Sequence, residues 1–375
     1  MGMTNVAATL DWESPVGRHR ERLCLPESAL QASGALVAAL GQLRMSGRAE
    51  VSPEPWVRPA GEAPVTLPGT SFRLRVRPAA GRFYPRLAFA GLAEGARDLR
   101  PCRLLSLAEQ QLVVDPNHPL AGLPARLSLI PCEGEVVLAG FQQLFDGPGM
   151  QVPPADPEAA YLPAGSLSRQ DEASDAHFYA QPRLVHHLDA VCRGAIAALY
   201  QRFLTPGQRV LDLMSSWTSH LPDAGPEIEI TGLGMNREEL EANPRLRLRL
   251  LHDLNEVPAL PVGNDGFDLA LCTASVEYLT HPHAVFQDLV RVLRPGGRFV
   301  VSFSDRWFPT KVIGAWSELH PFERMGLVVS LFRSAGFTDL HTETLRGLRR
   351  PADDKYTDLR DHSDPLFAVW GSKPL

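Results

Sequence analysis

No stretch of this 375-residue chain approaches the ~20 consecutive apolar residues of a membrane-spanning helix. There is no basic excess either. With 43 acidic and 37 basic side chains the net charge is −6, which argues against a general binder of nucleic acid or anionic membrane. Cysteine is scarce: Cys24, Cys102, Cys132, Cys192 and Cys272 form no CxxC pair, and their number is odd. That disfavours a disulfide framework, so a reducing, cytoplasmic setting is expected. The first residues lack a basic start followed by an apolar run, and no signal peptide is expected. No GxSxG or Cys–His nucleophile pattern stands out. His186–His187 and His281–Pro282–His283 lack a third ligand at useful spacing, so no metal is expected. No internal repeat is present. What remains is a chain with 44% hydrophobic residues, enough for a real core, and long enough for two domains.

The first half is rich in proline and glycine. Residues 1–44 read as an N-terminal segment with a candidate helix over 27–42. Residues 45–144 read as a smaller, mostly-β domain. Short alternating runs place strands at Ser71–Arg77, Arg103–Leu107, Gln111–Val114, Ala125–Ile130 and Glu135–Phe141. Residues 145–176, rich in Pro, Ala, Asp and Ser, read as a linker.

From residue 177 to 375 the pattern changes. Helical periodicity covers Pro182–Phe203, Ala284–Leu293 and Phe322–Ala335. Apolar strand-like runs stand at Arg209–Leu213, Glu227–Leu233, Phe267–Cys272 and Arg298–Phe303. Alternating strands and helices imply βαβ units and a parallel sheet, an α/β doubly wound domain. Asp339–Leu345 and Leu366–Trp370 read as two further strands joined by a charged loop.

Four motifs fall in order here. VLDLMSSWTSHLP (Val210–Pro222) is a strand running into a turn, with Asp212 at the strand's carboxyl end, where open α/β sheets place ligands. ITGLGMN (Ile230–Asn236) is a second strand end. HDLNEVPALPVGNDGFDLALCTASVEYL (His252–Leu279) offers Asp253 and Leu254, then the run FDLALC. LRPGGRFVVSF (Leu293–Phe303) is a helix stop and turn before a strand. This constellation resembles the class I S-adenosylmethionine-dependent methyltransferases, particularly the small-molecule type 11 group, over about half of the chain.

The resemblance implies a Rossmann-like sheet and S-adenosylmethionine as cofactor. It implies cofactor contacts from Tyr179, Asp212, Met214, Ser215, Ser216, Asn236, Asp253 and Leu254. The chain departs from the family at Met214, Ser216 and Thr218, which stand where alternating glycines usually do. Two readings stay open: a decayed site, or a variant loop in which Ser215, Ser216 and Ser219 supply hydroxyls. The second is favoured, because DLMSSWTSHLP resembles a loop variant found with similar FYAQPRLVHHLD and FSDRWFPTK stretches. Gly234 stands where relatives carry a ribose-binding acid, and Asn236 is either its replacement or a turn residue. Asp253 is either the acid beside adenine or a cap.

His177–Asp189 resembles the family's lid helix, and on a helix Arg183 and His186 would share one face while His187 pointed elsewhere. His186, Glu277 and Tyr278 are the candidate catalytic residues, any of which could take a proton from the acceptor. Arg183, Arg306, Trp307 and Lys311 are candidate substrate contacts, of a chemistry that suits an anionic or planar small molecule.

In the first half, LVVDPNHPLAG (Leu112–Gly122) resembles the corresponding segment of SlyD-type peptidyl-prolyl isomerases of the FKBP class, over roughly residues 98–131. Asn117, His118 and Gly122 are expected to make a compact turn there. The combined expectation is methyl transfer to a small molecule, with an FKBP-like domain as a docking or pocket-covering module. No nucleic-acid or membrane partner is expected, and the oligomeric state is left open. The rivals are a prolyl isomerase or chaperone with a passive S-adenosylmethionine-binding domain, and a non-catalytic S-adenosylmethionine or nucleotide binder.

Overall fold

The computed structural model describes residues 5–31, 33–57, 61–95 and 98–375. The chain forms two units, Met1–Leu167 with Gly314–Ser330, and Ser168–Ile313 with Leu331–Leu375.

The first unit opens on a hairpin that the sequence reading did not anticipate. β1 (Asn5–Ser14) and β2 (Gly17–Pro26) turn through Pro15–Val16, with Ser14 opposite Gly17. The run GRHRERL hides its inward face because two of the buried side chains are polar. His19 stacks on Trp12 at 3.8 Å, and the Trp12 indole donates to Glu21 at 3.4 Å. Gln151 donates to the same carboxylate. The chain continues through α1 (Gly34–Ser46), β3 (Ala49–Val51), β4 (Val65–Pro68), β5 (Phe83–Pro85), β6 (Pro101–Leu107), β7 (Gln111–Asp115), β8 (Ala125–Pro131) and α2 (Pro157–Tyr161). β2, β1, β8 and β3 lie side by side, all antiparallel. Leu36, Leu40 and Leu43 of α1 share a core with Val6, Leu10, Leu127 and Leu129. A second antiparallel sheet, β4-β7-β6-β5, has its own core of Leu67, Tyr84, Phe89, Leu104 and Val114.

Several expectations for this half need correction. The candidate helix over 27–42 includes Ala32, outside the described residues. A 3-10 turn covers Glu27–Leu30 and α1 begins only at Gly34. Ser71–Arg77 is not a strand. Phe72 makes one bridge to Phe89, and the following residues bend with Arg73 and Arg75 exposed. Glu135–Phe141 is not a strand either. Phe141–Phe145 form a 3-10 turn in which Phe141 and Phe145 pack on Trp56. The turn at Asn117–Gly122 does form. His118 Nδ1 accepts from Leu120 N at 3.0 Å, and its Nε2 lies 2.9 Å from the Phe145 carbonyl.

The stretch 145–176, read as a linker, is packed into the structure. Phe145, Met150, Tyr161 and Leu162 are buried. Gly147 lies so close to Phe322 that an added Cβ would fall 2.1 Å from its ring. Proline and alanine make this stretch look extended, but a few large apolar side chains at wide spacing anchor it.

The second unit contains α3 (Asp175–Phe178), α4 (Ala190–Gln201), β9 (Arg209–Leu213), β10 (Glu229–Gly234), α5 (Arg237–Ala242), β11 (Leu248–Leu251), β12 (Phe267–Thr273), α6 (Pro282–Val292) and β13 (Leu293–Phe303). The chain then gives α7 (Gly314–Glu318) and the first part of α8 (Pro321–Ala335) to the first unit. It finishes with β14 (Thr338–Arg346) and β15 (Leu366–Ser372). The strands run β11-β10-β9-β12-β13-β15-β14, parallel from β11 to β13, with β15 antiparallel to both its neighbours. Numbered within the unit this is 3-2-1-4-5-7-6, a Rossmann-like sheet. Its strand order reverses between β9 and β12, and ligands of open α/β sheets bind at such a reversal. The helix expected from Pro182 begins only at Ala190, where the Asp189 carboxylate caps it by accepting from Cys192 N at 3.0 Å. Residues 179–189 are irregular. Among the described residues no helix is long and apolar enough to cross a membrane.

Candidate active site

A cavity of about 360 Å³ opens in the second unit across the carboxyl ends of β9, β10 and β12, at the reversal of strand order. Its wall contains residues of the loop after β9, the turn after β10, the loop after β11 and the irregular stretch 179–189. Of the five non-glycine residues with left-handed backbone among the described residues, Met214, His220 and Ala274 line it, with φ of 55°, 51° and 47°. Such conformations cost ~1–3 kcal/mol each and persist only where the surroundings impose them.

Asp212 is the penultimate residue of β9, and its side chain is buried. Ser215 Oγ donates to it at 2.6 Å. Burial pushes its pKa up to about 6, and the Ser215 and Ser219 hydroxyls limit the rise. The loop that replaces the glycines folds by side-chain bonds. Ser216 Oγ donates to Glu239 at 2.6 Å, and Asn243 Nδ2 donates to Ser219 Oγ at 3.0 Å and to the Ser216 carbonyl at 2.9 Å. Ser215 N donates to the Leu233 carbonyl at 2.7 Å, which lays the loop over the end of β10.

That crossing explains Gly234. A Cβ there would sit 2.2 Å from the Ser215 carbonyl oxygen, so the strand end has no room for an acid. Asn236 lines the cavity, and its amide also makes structural bonds. Its Oδ1 caps α5 by accepting from Glu239 N at 3.0 Å, and its Nδ2 donates to the Tyr179 carbonyl at 2.9 Å. The carboxylate in this part of the wall is Glu239, which the sequence reading missed. The spacing Asn236-Arg-Glu-Glu239 is itself a capping signal and could have exposed both roles. Asp253 lines the cavity and makes a local turn, accepting from Asn255 N at 2.8 Å, while the adjacent Leu254 is buried in the same wall.

The stretch 179–189 brings Tyr179, Arg183, His186 and also His187 to the cavity, although no helix forms there. His186 stacks on Trp217 at 4.4 Å, with its Nδ1 buried and unbonded. Desolvation, then Arg193 and His187, lower its pKa, so the imidazole is neutral at pH 7. His220, also unforeseen, lies 6.4 Å from His186 and is pushed down to about 4 by burial. Tyr278 lines the cavity, but its hydroxyl accepts from Phe308 N at 2.8 Å, and burial raises its pKa. Its hydroxyl is thereby tied to the loop after β13. Glu277 is buried outside the cavity wall. Arg306 and Trp307 reach the cavity together with Phe308 and Tyr356, the last from the long β14–β15 connection. Lys311 does not. It is enclosed, with Asp171 and Asp175 carboxylates each 3.2 Å away, and it donates to the Ala173 carbonyl at 2.6 Å. A buried ammonium needs such partners, and Lys311 has spent its charge on ordering residues 171–175. Among the described residues no group of His, Cys, Asp or Glu is arranged to hold a metal.

Residues 215–301 match the family model of the methyltransferase domain. A demethylmenaquinone methyltransferase from Renibacterium salmoninarum is 29% identical over 26% of this chain and 41% of its own length. An O-methyltransferase from Pyrenophora dematioidea is 27% identical over 46% of this chain and 64% of its own. A ubiquinone/menaquinone biosynthesis C-methyltransferase from Cupriavidus metallidurans is 28% identical over 30% and 51%. The chain thus spans about half the length of the curated relatives it matches. A solved SAM-dependent methyltransferase from Thermotoga maritima, 18% identical, covers 51% of this chain and 92% of its own, with a TM-score of 0.37. The second unit therefore carries an S-adenosylmethionine-dependent methyltransferase domain, and S-adenosylmethionine is its cofactor.

The wall suits that cofactor's chemistry. Asp212, Glu239 and Asp253 offer carboxylates to its cationic groups, hydroxyls and adenine amine, and Arg183 offers a guanidinium. Asp212, Met214, Ser215, Ser216 and Glu239 would hold the amino-acid and ribose side, and Asp253 with Leu254 the adenine side.

Proposed function

We propose that the protein transfers a methyl group from S-adenosylmethionine to a planar small-molecule acceptor bound in this cavity. The observation that carries the reading is the cavity's position at the strand-order reversal, with Asp212, Asp253 and several aromatic rings in its wall. The cofactor supplies an activated methyl group, so the protein has only to align, desolvate and deprotonate the acceptor. Tyr179, Trp217, Tyr278, Trp307 and Phe308 give flat walls. Arg306, stacked 4.2 Å over Tyr356, adds positive charge to the wall. His186 is the proposed proton acceptor, because its ring lines the cavity and desolvation lowers its pKa. The quinone chemistry in two relatives' names agrees with a planar acceptor.

In this reading the first unit is a docking or pocket-covering module, FKBP-like in one segment. Its Asn117–Gly122 turn is occupied with structural bonds, and a proline-isomerisation assay on the full chain is expected to be negative. The main test is calorimetric titration of the full chain with S-adenosylmethionine and S-adenosylhomocysteine. Saturable binding of both is expected, and absence of heat from either overturns the proposal.

A further inference from the structure

In the loop after β9 the Ser215 N–H is committed to the Leu233 carbonyl and does not face a ligand. A carboxylate entering the cavity needs another donor. Among the described residues none of the cavity's acids pairs with the Arg183 side chain. Asp175 is bridged by Arg169 and Lys311, Asp212 accepts from Ser215, and Glu239 accepts from Ser216 and from the Arg183 backbone N–H at 2.7 Å. The cations differ. Arg306 has the Asp364 carboxylate at 3.8 Å. The Arg183 guanidinium has no carboxylate partner among the described residues. Its one hydrogen bond goes to the Phe178 carbonyl at 3.0 Å. It lies 4.3 Å from the Phe178 ring centre and 5.3 Å from that of Phe308.

Two aromatic rings fix the plane of this guanidinium without neutralising it. Arg has five donors in a rigid fork, and a carboxylate can take two in parallel. The stacking removes the entropy cost that a mobile arginine would bring. A positioned cation without a counter-anion, in a cavity wall, is a receptor for one.

From this we infer that Arg183 is the carboxylate receptor of the cavity, gripping a ligand carboxylate bidentately. The inference rests on the proposed function. Two carboxylates have the right chemistry: the amino-acid end of the cofactor, and an acidic group on the acceptor. Arg183→Gln keeps the backbone bond to Glu239 and removes the charge. Arg183→Lys keeps the charge and removes the fork, and serves as a second variant should Gln misfold.

Calorimetry on the full chain would use S-adenosylhomocysteine, then 5′-methylthioadenosine, which lacks the carboxylate, and then 4-hydroxybenzoate added to S-adenosylhomocysteine-saturated protein. If the cofactor carboxylate is the ligand, Arg183→Gln binds S-adenosylhomocysteine at least tenfold more weakly and Arg183→Lys falls between. Methylthioadenosine affinity stays within twofold. If the acceptor carboxylate is the ligand, S-adenosylhomocysteine affinity is unchanged and 4-hydroxybenzoate binding falls at least tenfold. Equal affinity of both variants and the unmodified protein for every probe overturns the role of Arg183. Failure of the unmodified protein to bind S-adenosylhomocysteine would instead overturn the proposed function itself.

Discussion

Replacing Asp212 with asparagine should separate stability from ligand binding. The carboxylate is buried at the end of β9, and desolvation is the largest influence on its pKa of about 6. An unfolded aspartate titrates near 3.8, so the native state holds the proton more tightly. A raised native pKa contributes stability below the unfolded value and loses it as pH rises through the native value. The shift of roughly two pH units corresponds to about 3 kcal/mol between pH 4 and pH 7, at ~1.4 kcal/mol per unit. Asparagine carries no such charge and still accepts from Ser215. Asp212→Asn should therefore be more stable than the unmodified protein at pH 8, by about 1–3 kcal/mol, and equal to it near pH 4. Urea denaturation followed by tryptophan fluorescence at pH 4, 6 and 8 measures this. In the same protein, S-adenosylhomocysteine should bind at least tenfold more weakly at pH 8, because the α-ammonium of the ligand loses its counter-charge. The unmodified protein should lose affinity as pH falls through about 6, where Asp212 takes up its proton. A variant that is less stable at pH 8, or that binds with unchanged affinity, refutes the reasoning.

Three further outcomes are expected. Gly234→Ala drives a Cβ into the Ser215 carbonyl at 2.2 Å, so it should lower the melting temperature and weaken S-adenosylhomocysteine binding more than tenfold by calorimetry. Gly194→Ala, with open space at that position, should do neither. Restoring glycines in the loop should not restore function. Met214→Gly relieves a left-handed φ of 55° at an entropy cost of similar size, and should change stability by less than about 0.5 kcal/mol. Adding Ser216→Gly and Thr218→Gly removes the Ser216–Glu239 bond, and calorimetry should show weaker binding. In the first unit, Glu323 is buried against Arg82 at 3.5 Å and accepts from Phe83 N at 2.9 Å. Glu323→Ala should destabilise the protein in urea denaturation, by less than the ~3–5 kcal/mol of a fully unpaired buried charge, because Arg82 keeps the half-exposed Glu318 carboxylate at 4.0 Å.

The parallel sheet was legible because its strands are buried on both faces and so read as continuous apolar runs: RVLDL, FDLALC and RFVVSF coincide with β9, β12 and the second half of β13. The hairpin β1–β2 was not, because His19 and Glu21 occupy inward positions that an alternation reading reserves for apolar residues. Their partners, Trp12 and Gln151, are 7 and 130 residues away, and nothing local announces the pairing. The packed stretch 145–176 failed for the same reason. Its anchors meet Phe322 and its neighbours, whose assignment to the first unit appears only when the chain is folded.

The site was legible where a residue's role follows from the strand that carries it, and illegible where it depends on what the neighbouring loop does. Asp212 sits near the end of β9, and Asp253 and Leu254 follow β11 within three residues, so the sheet delivers them to the cavity. Lys311 looked like a free cation because it follows an apolar strand, but Asp171 and Asp175 arrive from another part of the chain to enclose it. Gly234 and the serine loop make the strongest case. Taken separately, a missing acid at the end of β10 and three missing glycines after β9 both suggest decay. Taken together they are one change. Once the loop crosses β10 and Ser215 bonds Leu233, an acid at 234 is sterically barred, and a carboxylate must come from further along. Glu239 comes from the first turn of α5, tied to the same loop through Ser216. Drift would break these contacts one at a time. Here the altered loop is bonded to Leu233 of β10 and to Glu239 beside an open cavity, which supports the proposed working site over decay.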